Sequence, residues 1–133
     1  MYGAAKVIRF CYGHRLVGHE GACRHLHGHN ARVEVICRGE LDALGRVVDF
    51  AEIRDVLHEW IDANWDHRMI LATEDPMVEL LAEQQEPVYL MDGAPTAERL
   101  AAVLYGVAND AGLPIAGIRF WETETSYATF GDV

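Results

Sequence analysis

The chain has 133 residues, half of them apolar and 24% charged. That is the size and balance of one folded domain spanning 1–133, not of a disordered tail, a collagen or a coiled coil. Eleven basic residues against 21 acidic ones give a formal charge of −10, so a broad phosphate-tracking surface is excluded and nucleic acid is not the expected partner. No stretch is apolar and long enough to span a bilayer. The first ten residues carry Lys6 and Arg9 with no apolar signal core behind them. The expectation is a cytoplasmic protein with no membrane partner. Three cysteines, Cys11, Cys23 and Cys37, make a poor disulfide framework and leave at most one or two thiols for chemistry.

In chain order, Lys6–Tyr12 is rich in strand formers. Asn30–Arg38 reads as a second strand, with Val33, Val35 and Cys37 on one face and Arg32, Glu34 and Arg38 on the other. Asp49 opens a helix, with Glu52 three residues on as in a capping box. Phe50, Ile53, Val56, Leu57, Trp60 and Ile61 give that helix a buried stripe. Between Asn64 and Ala94 the pattern is weaker, with a short helix near Met77–Glu83 and an apolar run at Val88–Met91. Thr96 is placed to cap a second long helix, whose stripe is Leu100, Val103, Leu104, Val107 and Ala108. Gly112 and Pro114 stop it, and Ile115–Glu124 and Ser126–Phe130 read as closing strands. The order predicts an α+β fold: an antiparallel four-stranded sheet with two long helices on one face. Its uncovered face and open edges favour pairing with further copies, most completely in a closed ring.

Chemistry concentrates between His14 and His29. His27 and His29 flank Gly28. In extended chain, positions two apart point the same way with Cα atoms about 6.5–7 Å apart, so two imidazoles can meet one ion. His14, at the end of the neighbouring strand, supplies a third nitrogen. Three neutral imidazoles with one open position describe a catalytic zinc site rather than a structural one. His19 and His25 read as bystanders. Cys23, four residues before His27, could be a fourth ligand, an acid/base or a small hydrophobe. Asp66 and His67 read from local pattern alone as a turn cap and a surface residue. Glu122 shares a predicted face with Ile118 and Phe120. A carboxylate there needs a partner: either a salt bridge near the sheet edge, or two parallel N–H groups of a guanidine-like ring edge.

Taken in order, Phe10-Cys11-Tyr12-Gly13-His14-Arg15-Leu16, Cys23-Arg24-His25-Leu26-His27-Gly28-His29-Asn30, Val48-Asp49-Phe50, Asp66-His67, Pro95-Thr96-Ala97-Glu98 and Glu122-Thr123 resemble the 6-pyruvoyl-tetrahydropterin and 6-carboxytetrahydropterin synthase family. The resemblance implies a tunnelling fold (T-fold), whose barrel forms on oligomerisation, as a hexamer or another closed ring with intersubunit active sites. It implies zinc on His14, His27 and His29, a catalytic thiol at Cys23, and an Asp66–His67 pair that completes a triad across subunits. Glu122 anchors the pterin, with Thr96 and Glu98 near its pocket. The C-x-x-x-H-G-H spacing resembles the bacterial queuosine (deazapurine) pathway enzymes. These convert 7,8-dihydroneopterin triphosphate to 6-carboxy-5,6,7,8-tetrahydropterin, acetaldehyde and triphosphate. A pyruvoyl-type or side-chain-cleaving enzyme with the same site is the alternative. The tail Glu122-Thr123-Glu124-Thr125-Ser126-Tyr127 looks more like the pyruvoyl enzymes than some carboxy enzymes, and two further places depart from the family pattern. Tyr12-Gly13 replaces the usual Ala-Ala, and Ala31 replaces the aromatic that often follows H-G-H-N.

Overall fold

The computed structural model describes residues Met1–Val133. A long hairpin forms its centre: β1 (Tyr2–His14) pairs antiparallel with β2 (His27–Gly39) along their whole lengths, from Tyr2 opposite Gly39 to His14 opposite His27. Alternation sorts the side chains. Ile8, Phe10, Tyr12 and His14 from β1 are buried on the same face as Ala31, Val33, Val35 and Cys37 from β2. The next element, α1 (50–64), begins as Phe50–Ile53, widens into a π turn at Arg54–His58 and ends as Glu59–Asn64. The Asp49 carboxylate caps it by accepting the Ala51 N–H at 2.9 Å. There follow β3 (Arg68–Ala72), α2 (Met77–Glu83), β4 (Val88–Met91), α3 (Ala97–Asp110), β5 (Ile115–Trp121) and β6 (Tyr127–Gly131).

The α+β class and the two long helices on one face agree with the sequence reading. The sheet does not: it has six strands in the order β4-β3-β1-β2-β5-β6, and it is mixed. β3 runs parallel to β1, and β4 parallel to β3. Both are short, and Ile70, Leu71 and Ala72 are consecutive buried residues. A strand covered on both sides shows an apolar run rather than alternation, so its period is invisible in the sequence. The stripe of α1 also differs. Ile53, Leu57, Ile61 and Trp65 are fully buried whereas Phe50 is exposed. A four-residue spacing across the π turn rotates the stripe toward position 49, away from Phe50.

α3 lays Leu100, Leu104 and Ala108 on the sheet, and the Thr96 hydroxyl accepts the Arg99 N–H. An aromatic cluster joins the layers. Phe10 meets Trp65 and Phe120 at 6.1 and 6.0 Å between ring centres, and Tyr12 meets Phe120 at 5.7 Å. This core abuts the end of β1 that carries His14, so the rigid part of the molecule supports the histidines.

Candidate metal centre and adjoining acid–base corner

Strand register places the three histidines. His14 and His27 are direct cross-strand partners, and His29 is two residues further along β2 on the same face. The ring centres lie 4.6–5.1 Å apart, and one nitrogen from each ring lies within 4.8 Å of the others. Backbone carbonyls fix two of the rings: His14 Nδ1 is 2.7 Å from the Pro95 oxygen and His27 Nδ1 is 2.7 Å from the His25 oxygen. An Nδ1–H donated to a carbonyl leaves Nε2 as a lone pair, the state a metal ligand needs. His14 Nε2 and His29 Nε2 approach to 3.1 Å. Desolvation lowers the pKa of both His14 and His29, which favours the neutral ligand form. The donor set therefore suits a divalent ion of borderline softness.

Glycine faces glycine in this stretch: Gly13 pairs with Gly28. A Cβ on Gly28 would come within 3.2 Å of the Tyr12 carbonyl.

Glu122 is not in a strand. β5 ends at Trp121, and the Glu122 N–H donates to the Ser126 carbonyl at 3.2 Å in the β5–β6 turn. Expectation and structure part here because the strand stops at Trp121, three residues before the Glu124 end read from the sequence. The side chain nevertheless keeps the face of Phe120 and reaches the histidines: Oε1 is 3.8 Å from His14 Nε2 and Oε2 is 4.0 Å from His29 Nε2. Glu98, in the first turn of α3, shares a small hollow with Glu122, and Thr96 occupies the cap position beside it.

A second cluster lies at the turn after α1. Asp66 Oδ2 accepts from His67 Nδ1 at 2.9 Å, while Oδ1 accepts the Cys11 N–H at 3.2 Å and faces the Cys11 thiol at 3.8 Å. Burial alone would raise the Asp66 carboxyl. The hydrogen bonds from His67 and Cys11 outweigh it and hold the group below the usual aspartate range. His67 sits at φ 60°, a left-handed conformation rare for residues other than glycine. Its N–H, donated to the Cys11 carbonyl at 2.8 Å, keeps it there. The ring is largely exposed and turns Nε2 outward. A cavity of about 590 Å³ runs from His67 to the backs of His27 and His29.

Cys11, one of the three cysteines, therefore belongs to the Asp66–His67 corner. The signal available was its position: it alternates with the buried Phe10 and Tyr12 and so faces the other side of the sheet. Cys37 is packing, and burial pushes its thiol up to about 11. Cys23 lies half-buried in a short turn, Ala22–Arg24, and joins neither side-chain cluster. Its carbonyl accepts the Leu16 N–H at 2.8 Å, which ties that turn to the chain leaving His14. Arg15, just after His14, is held by both oxygens of the buried Asp75, with Nε at 2.8 Å. Its guanidinium is thus engaged inside the chain.

A mixed sheet with two helices on one face and a three-histidine centre at the hairpin's end defines the class, and comparison with known proteins gives the family. The sequence model of the 6-pyruvoyl tetrahydropterin synthase family matches residues 4–132, so this chain belongs to that family. A protein of Rickettsia felis named 6-carboxy-5,6,7,8-tetrahydropterin synthase is 39% identical over 107 residues, covering 78% of each chain. Relatives of the same name from Rickettsia typhi and Haemophilus influenzae are 33% and 30% identical, over 96% and 98% of this chain and 98% and 99% of their own lengths. Among solved structures, an uncharacterized protein of Wolinella succinogenes superposes with a TM-score of 0.84 at 27% identity, covering 99% of this chain and 98% of its own. The Caenorhabditis elegans 6-pyruvoyl tetrahydropterin synthase shares the fold, with a TM-score of 0.74 at 23% identity over 98% of this chain and 94% of its own.

Proposed function

We propose that this chain is a 6-carboxy-5,6,7,8-tetrahydropterin synthase, acting on 7,8-dihydroneopterin triphosphate in queuosine biosynthesis in the cytoplasm. Its relatives along nearly the whole chain carry that name. The observation that carries the reading is the closeness of Glu122 to the three imidazoles. A carboxylate that grips a guanidine-like ring edge then stands beside the atoms that bind the substrate's side chain.

His14, His27 and His29 would hold Zn²⁺, which when bound supplies Lewis-acid polarisation of the substrate's hydroxyl oxygens. Every other role falls to the chain. Glu122 accepts two N–H groups of the pterin edge and fixes the ring, and Glu98 and Thr96 border the same pocket. His67, its Nδ1–H held by Asp66, takes up and releases a proton at Nε2. Cys23 is the second proton carrier, through its side-chain sulfur.

Within one chain Cys23 joins neither cluster, so in this reading it meets the Asp66–His67 pair of another copy. We therefore infer a homo-oligomer closed into a ring, with active sites between subunits. The open edges β4 and β6, and the exposed Val7, Leu90, Tyr127 and Phe130, supply surface for it. Light scattering of the purified protein should give a multiple of the 14.9 kDa chain mass.

The test of the activity is product analysis. Zinc-loaded protein incubated with 7,8-dihydroneopterin triphosphate should yield 6-carboxytetrahydropterin and acetaldehyde, identified by mass spectrometry. A pyruvoyl product would move the chain to the sister activity. Unchanged substrate at full metal occupancy would refute both.

A further inference from the structure

Tyr12 has no part in the roles assigned above, yet it abuts them. It is the cross-strand partner of His29, and its ring centre lies 5.1 Å from that of His14 and 5.6 Å from that of His29. The residue is 4% exposed. Its hydroxyl is buried and makes no hydrogen bond within the chain. A buried hydroxyl left unpaired costs about 1–3 kcal/mol, so a group that satisfies it in the working state is expected. The acceptor beside it is Glu122, which it approaches without reaching hydrogen-bond geometry. A phenol hydroxyl is a donor at neutral pH.

Glu122 itself has two possible destinations. Zinc–nitrogen bonds of about 2.0–2.1 Å in tetrahedral array put neighbouring ligand atoms about 3.3 Å apart. One Glu122 oxygen stands 3.8 Å from His14 Nε2 and the other 4.0 Å from His29 Nε2, each less than about 1 Å beyond the spacing of neighbouring ligand atoms. A doubly charged ion would draw the carboxylate in. That would close the centre and remove both the open position and the pterin anchor.

We propose that Tyr12 is a positioning residue. Its hydroxyl captures the Glu122 carboxylate and holds it off the fourth coordination position of the His14–His27–His29 centre. The inference rests on the reading of that centre as a metal site. It ties one neutral buried donor to two properties at once: an open metal position and a carboxylate free for the substrate edge.

Cobalt provides the test, because its visible absorption reports ligand number without turnover. The full-length protein is loaded with Co²⁺ and titrated with thiocyanate. The wild type should bind one Co²⁺ per chain and change its spectrum with thiocyanate. In the metal-free protein Tyr12→Phe removes a hydroxyl without a partner, so its melting temperature there should equal or exceed that of the metal-free wild type. It should bind Co²⁺ at least about tenfold more tightly and lose about tenfold or more in apparent thiocyanate affinity. Adding Glu122→Gln to Tyr12→Phe should restore the thiocyanate response. Glu122→Gln alone should leave the response at the wild-type level. Wild-type behaviour of Tyr12→Phe would overturn the inference while leaving the metal site standing. So would a thiocyanate response that appears only with Glu122→Gln alone. A wild type that takes up no Co²⁺ would overturn the metal reading and this inference together.

Discussion

The two side-chain clusters are built in opposite ways. The histidine centre is set by regular structure: paired strands, fixed register, and backbone carbonyls that orient two of the rings. The Asp66–His67–Cys11 corner is set by irregular structure: a helix end, a left-handed residue and one carboxylate shared among three donors. The first is half-buried to buried and rests on the aromatic core, while the second faces solvent. A metal centre profits from rigidity, since ligand atoms must converge before the ion arrives. A proton carrier needs access and a ring free to meet its partner. The contrast suggests where substitutions are felt as lost binding and where as lost rate.

The largest effect belongs to the proposed ligands. His27→Ala should reduce metal affinity by more than about a hundredfold, while circular dichroism shows the fold intact, because His27 lies at the rim of the hairpin rather than in the core. If metal stayed bound, register would not be what makes this centre.

Next comes the brace behind it. Asp75 is buried, pairs with Arg15 through both oxygens and accepts the Met77 N–H at 2.8 Å. Asp75→Ala strands the guanidinium and should cost about 2–3 kcal/mol in denaturant unfolding. The hydrogen bonds from Arg15, in spite of burial, hold the Asp75 carboxyl below the usual range. A depressed folded-state value means that the unfolded chain binds the proton first as pH falls. The stabilisation is therefore complete above the ordinary aspartate range and lost as pH drops through the folded-state value. Asp75→Asn should accordingly show a flatter acid limb of stability than the wild type.

On the other side of the comparison, Asp66→Asn should spare metal content and lower kcat by about ten- to a hundredfold, because His67 loses the acceptor that fixes its tautomer. Its pH–rate profile should shift as well, which a purely structural role would not produce. The smallest effect is expected at Cys11→Ser. The Cys11 N–H contact to Asp66 survives the change, so stability should move by less than about 1 kcal/mol and turnover by only a few fold.

The same contrast explains what could be read from the sequence. The histidine centre was legible because H-x-H in a strand, and a partner at a strand end, follow from period-two geometry alone. The α3 cap and stripe were legible because Thr96 and the spacing of Leu100, Leu104 and Ala108 are local. Two short parallel strands were not, since Ile70 to Ala72 offer no alternation. Nor was the tie between Cys11 and Asp66, which are 55 residues apart and joined by a turn whose left-handed His67 no propensity would select. Asp66-His67 stood out only through resemblance to the family, and Glu122 was assigned the right face but the wrong element.

The most direct measurement is metal stoichiometry across four proteins: wild type, His14→Ala, His29→Ala and Asp66→Asn, each loaded with zinc, desalted and assayed by mass spectrometry of the metal. The account predicts one ion per chain in the wild type and in Asp66→Asn, and none in either histidine variant. An ion retained by His14→Ala or His29→Ala, or lost in Asp66→Asn, would contradict it.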